Sequence, residues 1–251
     1  QMSLLHSFYC WGHMAVVLLS TLFFTLAGIE NWRLLPVLWA LVPLGTFLLF
    51  TRVPIYAIQG DDEKTRLPKS IFSYPVFWLL FFVMICAGAS EQAVSQWSSM
   101  FAEDGLKVSK TIGDLLGPCS FAFFMGLSRT IYGLWGHKLN LIKSMKATSV
   151  LCILGYLLTS LSPVPLLALA GCGICGFSVG LMWPGSFALG ASNLKGGGTF
   201  MFAMFALAGD VGCSAGPGLV GIVSEATEKM SLGIFTALLF PAVLLLLISR
   251  L

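Results

Sequence analysis

Residues 71–101 read IFSYPVFWLLFFVMICAGASEQAVSQWSSMF, and Glu91 is the one formal charge in that run. Crossing a hydrocarbon core of about 30 Å takes about 20 helical residues, and only helices or closed barrels satisfy every backbone polar group there. A mostly apolar run of this length therefore reads as a membrane-spanning helix. Seven more stretches of the same kind occupy 2–28, 32–57, 109–132, 141–162, 164–191, 198–224 and 230–250, with most of the charges between them. The stretches at 71–101 and 164–191 run long, which implies tilt or a helix end reaching into water. Of the 251 residues, 57% are hydrophobic and 10% charged, and the mean hydropathy is +0.90. The prediction is an all-α integral membrane protein with eight transmembrane helices and no soluble domain.

The net charge of +3 does not point to nucleic acid, because the basic residues lie in the loops rather than in one patch. Loop Lys and Arg are topology signals instead. With the amino end in the cytoplasm, that side collects Arg52, Lys64, Arg66, Lys69, Arg129, Lys138, Lys143, Lys146, Lys195 and Arg250. The opposite side holds Arg33, Lys107, Lys110 and Lys229. Ten against four is a positive-inside bias that places both termini in the cytoplasm. The seven cysteines (10, 86, 119, 152, 172, 175 and 213) all fall in apolar stretches and read as small packing residues rather than disulfides or metal ligands. The chain opens on Gln1 directly at a hydrophobic stretch and stops at Leu251 just after one. The first stretch lacks a basic leader and is too long for a signal peptide. The expectation is a piece of a longer protein.

The longest polar segment, Gly60-Asp-Asp-Glu-Lys-Thr-Arg-Leu-Pro-Lys69, is mixed in charge and reads as a cytoplasmic linker between two bundles. The expected division is residues 1–57, a linker over 58–70, and a second bundle over 71–251. A weak internal repeat agrees. Sliding the seventh stretch onto the first by 197 residues pairs Phe8 with Phe205, Gly12 with Gly209, Leu22 with Leu219 and His13 with Asp210. Sliding the eighth onto the second by 198 pairs Pro43 with Pro241. Parallel repeats six helices apart are the mark of one large transporter architecture.

Two local patterns carry a family resemblance. The run Gly126-Leu-Ser-Arg129-Thr-Ile-Tyr-Gly133-Leu-Trp-Gly136-His-Lys138 resembles the loop signature of the major facilitator superfamily (MFS). Glycines there let helix ends approach, and basic groups meet carbonyl ends or acids in one conformational state. The acid common in that signature is absent, with His137 near its place. The run Gly212-Cys-Ser-Ala-Gly216-Pro217-Gly218-Leu-Val-Gly221 looks like the glycine-proline helix of the same family, where small residues let helices touch and proline bends them. Ala15-Val-Val-Leu-Leu-Ser20 of the first stretch lacks such a run, so no antiporter reading is taken from it.

The resemblance implies an MFS-like bundle containing helices five to twelve of twelve. Residues 1–57 would supply the last two helices of the amino-terminal bundle, and 71–251 a complete six-helix carboxyl-terminal bundle. Four helices of the same protein would then be missing partners. A loose likeness to bacterial sugar-type porters implies a bacterial plasma membrane.

The chemistry is sought in polar residues at bilayer depth, which are costly and by default functional. Glu91, Gln92, Ser95 and Gln96 form two i,i+4 pairs on one helix, a polar stripe suited to a polar substrate. Glu91 is either a direct ligand or a proton carrier, unless this helix end already emerges into solvent. Asp210 lies mid-helix, where desolvation penalises the ion and suits proton coupling; a structural hydrogen bond is the alternative. His13 shares its repeat position and titrates near physiological pH, with His6 two turns earlier, although packing with one satisfied bond remains open. Asp114 stands about one turn into a helix, where an acid also suits the dipole. Trp183-Pro184 breaks the sixth stretch, and the indole is a candidate surface for a sugar ring or for packing. Gly126, Arg129, Gly133 and Lys138 are the candidate conformational loop, and Gly212, Gly216 and Pro217 the candidate packing motif.

Cys172-Gly-Ile-Cys175 has redox spacing inside an apolar helix, without the setting such chemistry needs. Gly196-Gly-Gly198 has no phosphate-loop frame. No metal or cofactor is expected. The function expected is secondary active transport of a small polar solute, sugar-like or another metabolite, together with a proton, by alternating access. A non-transporting receptor or assembly subunit on the same fold is the alternative. An intramembrane enzyme would need a catalytic cluster at one depth, and the sequence offers none.

Overall fold

A computed structural model describes residues 2–54, 71–194 and 196–251. The linker expected over 58–70, with Lys64, Arg66 and Lys69, lies outside the described residues, as does Lys195. The elements are α1 (Met2–Ala27), α2 (Leu34–Phe50), α3 (Pro75–Gly105), α4 (Lys110–Lys138), α5 (Leu141–Leu161), α6 (Pro165–Asn193), α7 (Gly198–Thr227) and α8 (Met230–Ile248). Seven of these are long and apolar enough to cross a bilayer; α2 is shorter, and none of its residues is buried. The all-helical membrane architecture is thus as the sequence indicates. At 31 residues, α3 is about 46 Å long at 1.5 Å per residue, more than the hydrocarbon thickness.

Helix boundaries follow local chemistry. The long helix of the 71–101 stretch begins at Pro75, because Tyr74 is extended and proline suits the first helical turn. At its other end a π-turn over Phe101–Gly105 carries the helix on. The fourth helix holds a second π-turn at Leu115–Cys119, around Pro118. Two prolines in matching repeat positions act alike. Pro43 and Pro241 each follow by three residues a break in the helix, at Ala40 and Leu238. A proline cannot donate to the carbonyl four residues back, so each helix loosens there.

At the centre is α3, packed on α7 and α8, with α6 also against it. Lipid tails are as apolar as leucine, so helix association relies on close packing rather than on water exclusion. Glycines supply that closeness between α3 and α7. A methyl built on Gly216 would lie 2.8 Å from the Cα of Ala89, and one on Gly212 would lie 2.8 Å from the carbonyl carbon of Ile85. Gly88 faces the carbonyl of Gly209 in the same way. The indole Nε1 of Trp97 donates to the Pro217 carbonyl at 3.0 Å, tying α3 to α7. A second pair, α5 and α6, packs through Gly155 and Gly171, beside Cys175 and Thr159. All seven thiols are free and six are buried.

The first helix lies along α4, with Gly126 against Cys10 and Trp11, and Gly133 against Leu4. Most of the glycine-arginine run is therefore helix. Only Gly136–Lys138 forms a separate 3-10 turn, where Lys138 is exposed.

Backbone contact at Gly212 makes a specific demand. Gly212→Leu forces α3 and α7 apart and is expected to cost at least the ~1–3 kcal/mol typical of overpacking. Gly218, on the same helix, has nothing within 4 Å of a built methyl, so Gly218→Leu is the control. Thermal unfolding in detergent should show a lowered midpoint for the first variant and an unchanged one for the second.

Candidate functional site

Glu91 and Arg129 meet inside the bundle. The Nη2 of Arg129 donates to Oε2 of Glu91 at 2.9 Å, and Arg129 and Glu91 are 2% and 4% exposed. Arg129 is thus not the loop charge that its glycine-rich surroundings suggest. Its position on the inner face of α4, between buried Ser128 and buried Met125 and Gly126, turns it inward. Without Arg129, the positive-inside comparison becomes nine against four.

Two further donors of the same guanidinium are used on backbone carbonyls. Nε donates to Gly180 of α6 at 3.2 Å, and Nη1 donates to His6 of α1 at 3.2 Å. Arg129 therefore joins α1, α3, α4 and α6. Ser3 Oγ donates to its carbonyl at 2.8 Å, and the Tyr9 ring lies beneath the guanidinium, with its centroid 5.7 Å away. A planar fork of five donors suits such a junction better than an ammonium.

Tyr9 also lines an open cavity of about 640 Å³. It is lined by Tyr9, Gly12, His13 and Val16 from α1, and by Gln92, Ser95 and Gln96 from α3. The Gln92 amide donates to the Tyr9 hydroxyl at 3.4 Å. Three members of the expected polar stripe thus share one surface with His13. Glu91 departs from it, because its carboxylate turns inward to Arg129. Tyr9 stands between the two environments, and no feature of its apolar stretch marks it in the sequence. The Nδ1 of His13 is buried without a hydrogen-bond partner among the described residues.

The remaining candidates lie elsewhere. Asp210 is exposed, and its carboxylate makes no ion pair among the described residues. It does not meet His13, despite their matching repeat positions. Trp183 packs on Phe187 and against Gly209, and its Nε1 is buried without a hydrogen-bond partner among the described residues. The break in α6 falls at Gly180–Leu181, one turn before the Trp183-Pro184 pair. The His6 ring stacks on Phe187. Asp114 accepts from Thr21 at 3.3 Å and from Ser99, and lies 3.6 Å from Lys110, so this first-turn acid also joins α1 to α3. A larger cavity, about 800 Å³, opens beside Trp97, Asp104, Ser160, Glu225 and Glu228. It lies at helix ends and turns, away from the buried pair.

A buried ion pair is costly to break from one side. Glu91→Leu or Arg129→Met leaves the partner's buried charge unmatched, and each single variant is expected to lose about 3–5 kcal/mol. The apolar double variant Glu91→Leu/Arg129→Met should recover most of that loss. Unfolding of the four proteins in detergent, analysed as a double-mutant cycle, measures the coupling.

Comparison with known proteins agrees with this architecture. No curated protein matches the sequence. The fold is similar to the crystal structure of the Escherichia coli fucose:proton symporter FucP, solved as an asparagine-to-alanine variant, with a TM-score of 0.67 and 14% identity. That alignment takes in 89% of this chain and 55% of the symporter, so the chain spans little more than half of its structural neighbour. Residues 1–217 match the sequence model of the Major Facilitator Superfamily. The chain belongs to the Major Facilitator Superfamily.

Proposed function

We propose that this chain is the larger part of a secondary active transporter that carries a small, uncharged polar solute by alternating access, driven by a proton gradient. The observation that carries this reading is the separation of two environments by Tyr9. Hydrogen-bonding groups of Gln92, Ser95, Gln96 and His13 line the open cavity, while the charges of Glu91 and Arg129 are buried behind it. A lining of amides, a hydroxyl and an imidazole suits a sugar or another polyol better than an organic ion. FucP, a fucose:proton symporter of similar fold, supports the sugar-like class, although at 14% identity it supports it only by analogy.

In this reading Glu91 carries the proton. Ionised, it holds Arg129; protonated, it gives up most of that attraction and frees the guanidinium to follow α1 or α6. Such a change is a two-state element that a proton and a solute can both bias. His13, on the cavity lining, would hand the proton toward Glu91, and Asp210, on α7 outside that lining, would serve as a second carboxyl group in the coupling. The Trp183 indole, whose N–H has no partner among the described residues, would extend the solute contacts along α6. The glycine-rich end of α4 would shift against α1 during the cycle. The charge distribution supports cytoplasmic termini, and the likeness to sugar porters supports a bacterial plasma membrane.

Proteoliposomes of the full-length protein test this reading, with pooled sugars, amino acids and organic acids as probes and with or without an inward proton gradient. Gradient-dependent accumulation from the sugar pool is expected; binding without accumulation under any gradient would replace transport by a receptor role. Glu91→Gln and Asp210→Asn should each lower accumulation at least tenfold, and full accumulation by both would remove them from the coupling path. Gln92→Ala and Gln96→Ala should raise KM by about three- to tenfold, the worth of one hydrogen bond, while downhill exchange persists.

A further inference from the structure

The orientation of Arg129 has an origin in α6. In a continuous helix the carbonyl of Gly180 would accept from the backbone N–H of residue 184. That residue is proline, buried and without an N–H. The helix breaks at Gly180–Leu181 and resumes at Met182, and Gly185 N–H closes onto the Leu181 carbonyl at 2.8 Å. No backbone N–H among the described residues reaches the Gly180 carbonyl, and its recorded donor is Nε of Arg129 at 3.2 Å.

Gly180 supplies the second condition. A methyl built there would lie 2.8 Å from Ser128 Cβ and 2.9 Å from the Met125 carbonyl oxygen. Only a residue without a side chain lets α6 come this close to the turn of α4 that precedes Arg129.

We propose that Pro184 is a positioning residue: by withholding its backbone N–H it keeps the Gly180 carbonyl open for Arg129 Nε, which aims the outer edge of the guanidinium at Glu91. Fixing Nε fixes the plane of the fork, and Nη2 then falls on the carboxylate while Nη1 falls on the His6 carbonyl. The break in α6 is thereby coupled to the ion pair through one side chain. This coupling rests on the geometry of the pair and not on the transport reading, and its test observes Arg129 directly.

The test uses the full-length protein in lipid nanodiscs, labelled with ¹⁵N-arginine. The Arg129 Nε–H signal is the one lost in Arg129→Lys, and its exchange with water is the readout. Pro184→Ala restores an N–H that competes for the Gly180 carbonyl, and exchange should accelerate at least tenfold. Replacing Pro184 by lactic acid, the hydroxy analogue of alanine, puts an ester oxygen in place of the N–H. That protein should exchange within about twofold of the parent. The proposal is overturned if the alanine protein exchanges like the parent, or if alanine and lactic acid accelerate it equally. Should Pro184→Ala not fold, folded yield serves as the readout. Recovery by the lactic acid protein supports the inference, and equal failure of both overturns it by assigning the effect to the proline ring.

Discussion

An ion in hydrocarbon needs a counter-ion, and a counter-ion needs its remaining hydrogen bonds satisfied. Glu91 and Arg129 impose both conditions on the helices around them. The carboxylate fixes the depth of α3 relative to α4. The two remaining edges of the guanidinium then call for acceptors, and α1 and α6 present carbonyls at His6 and Gly180. Four helices are located by one side chain. Tyr9 belongs to the same arrangement, since its ring lies beneath the guanidinium while its hydroxyl accepts from Gln92 on the cavity lining.

The close packing elsewhere serves this junction. Gly88, Gly212 and Gly216 bring the backbones of α3 and α7 into contact, and this leaves the Gln92–Gln96 side of α3 turned to the cavity. Gly180 does the same between α6 and α4. In water such interfaces would gain from excluding solvent. Here they gain from contact alone, so side-chain volume at a few positions decides whether the polar groups meet.

The fold was legible because its signal is redundant. Eight apolar stretches are hard to read otherwise, and seven of them are helices long and apolar enough to span a bilayer, with Leu34–Phe50 the shorter eighth. Glu91 was legible too, as the one charge in a long apolar run. Its partner was not. Arg129 lies 38 residues away among glycines that resemble a cytoplasmic turn, and a topology count treats any such arginine as a loop charge. Helical phase could have raised the alternative, since Met125, Gly126, Ser128 and Arg129 share the buried face of α4. Tyr9 had no signal, because an aromatic residue in a membrane stretch is ordinary. His13 and Asp210 share a repeat position in the sequence, but repeat symmetry only equates positions, and equivalent positions need not touch.

Because Arg129 reaches α1 and α6 through carbonyl oxygens, the identity of residue 6 matters little to the contact; what matters is helical phase. A single residue inserted into α1 between positions 6 and 20 would rotate one part of the helix against the other by about 100°. The His6 carbonyl and the Tyr9 ring could not then keep their places while Thr21 kept Asp114. Substitutions in this stretch are read by volume, whereas insertions and deletions are read by angle. At position 6 the first helix therefore behaves as a gauge of fixed pitch, tolerant of spelling and intolerant of length.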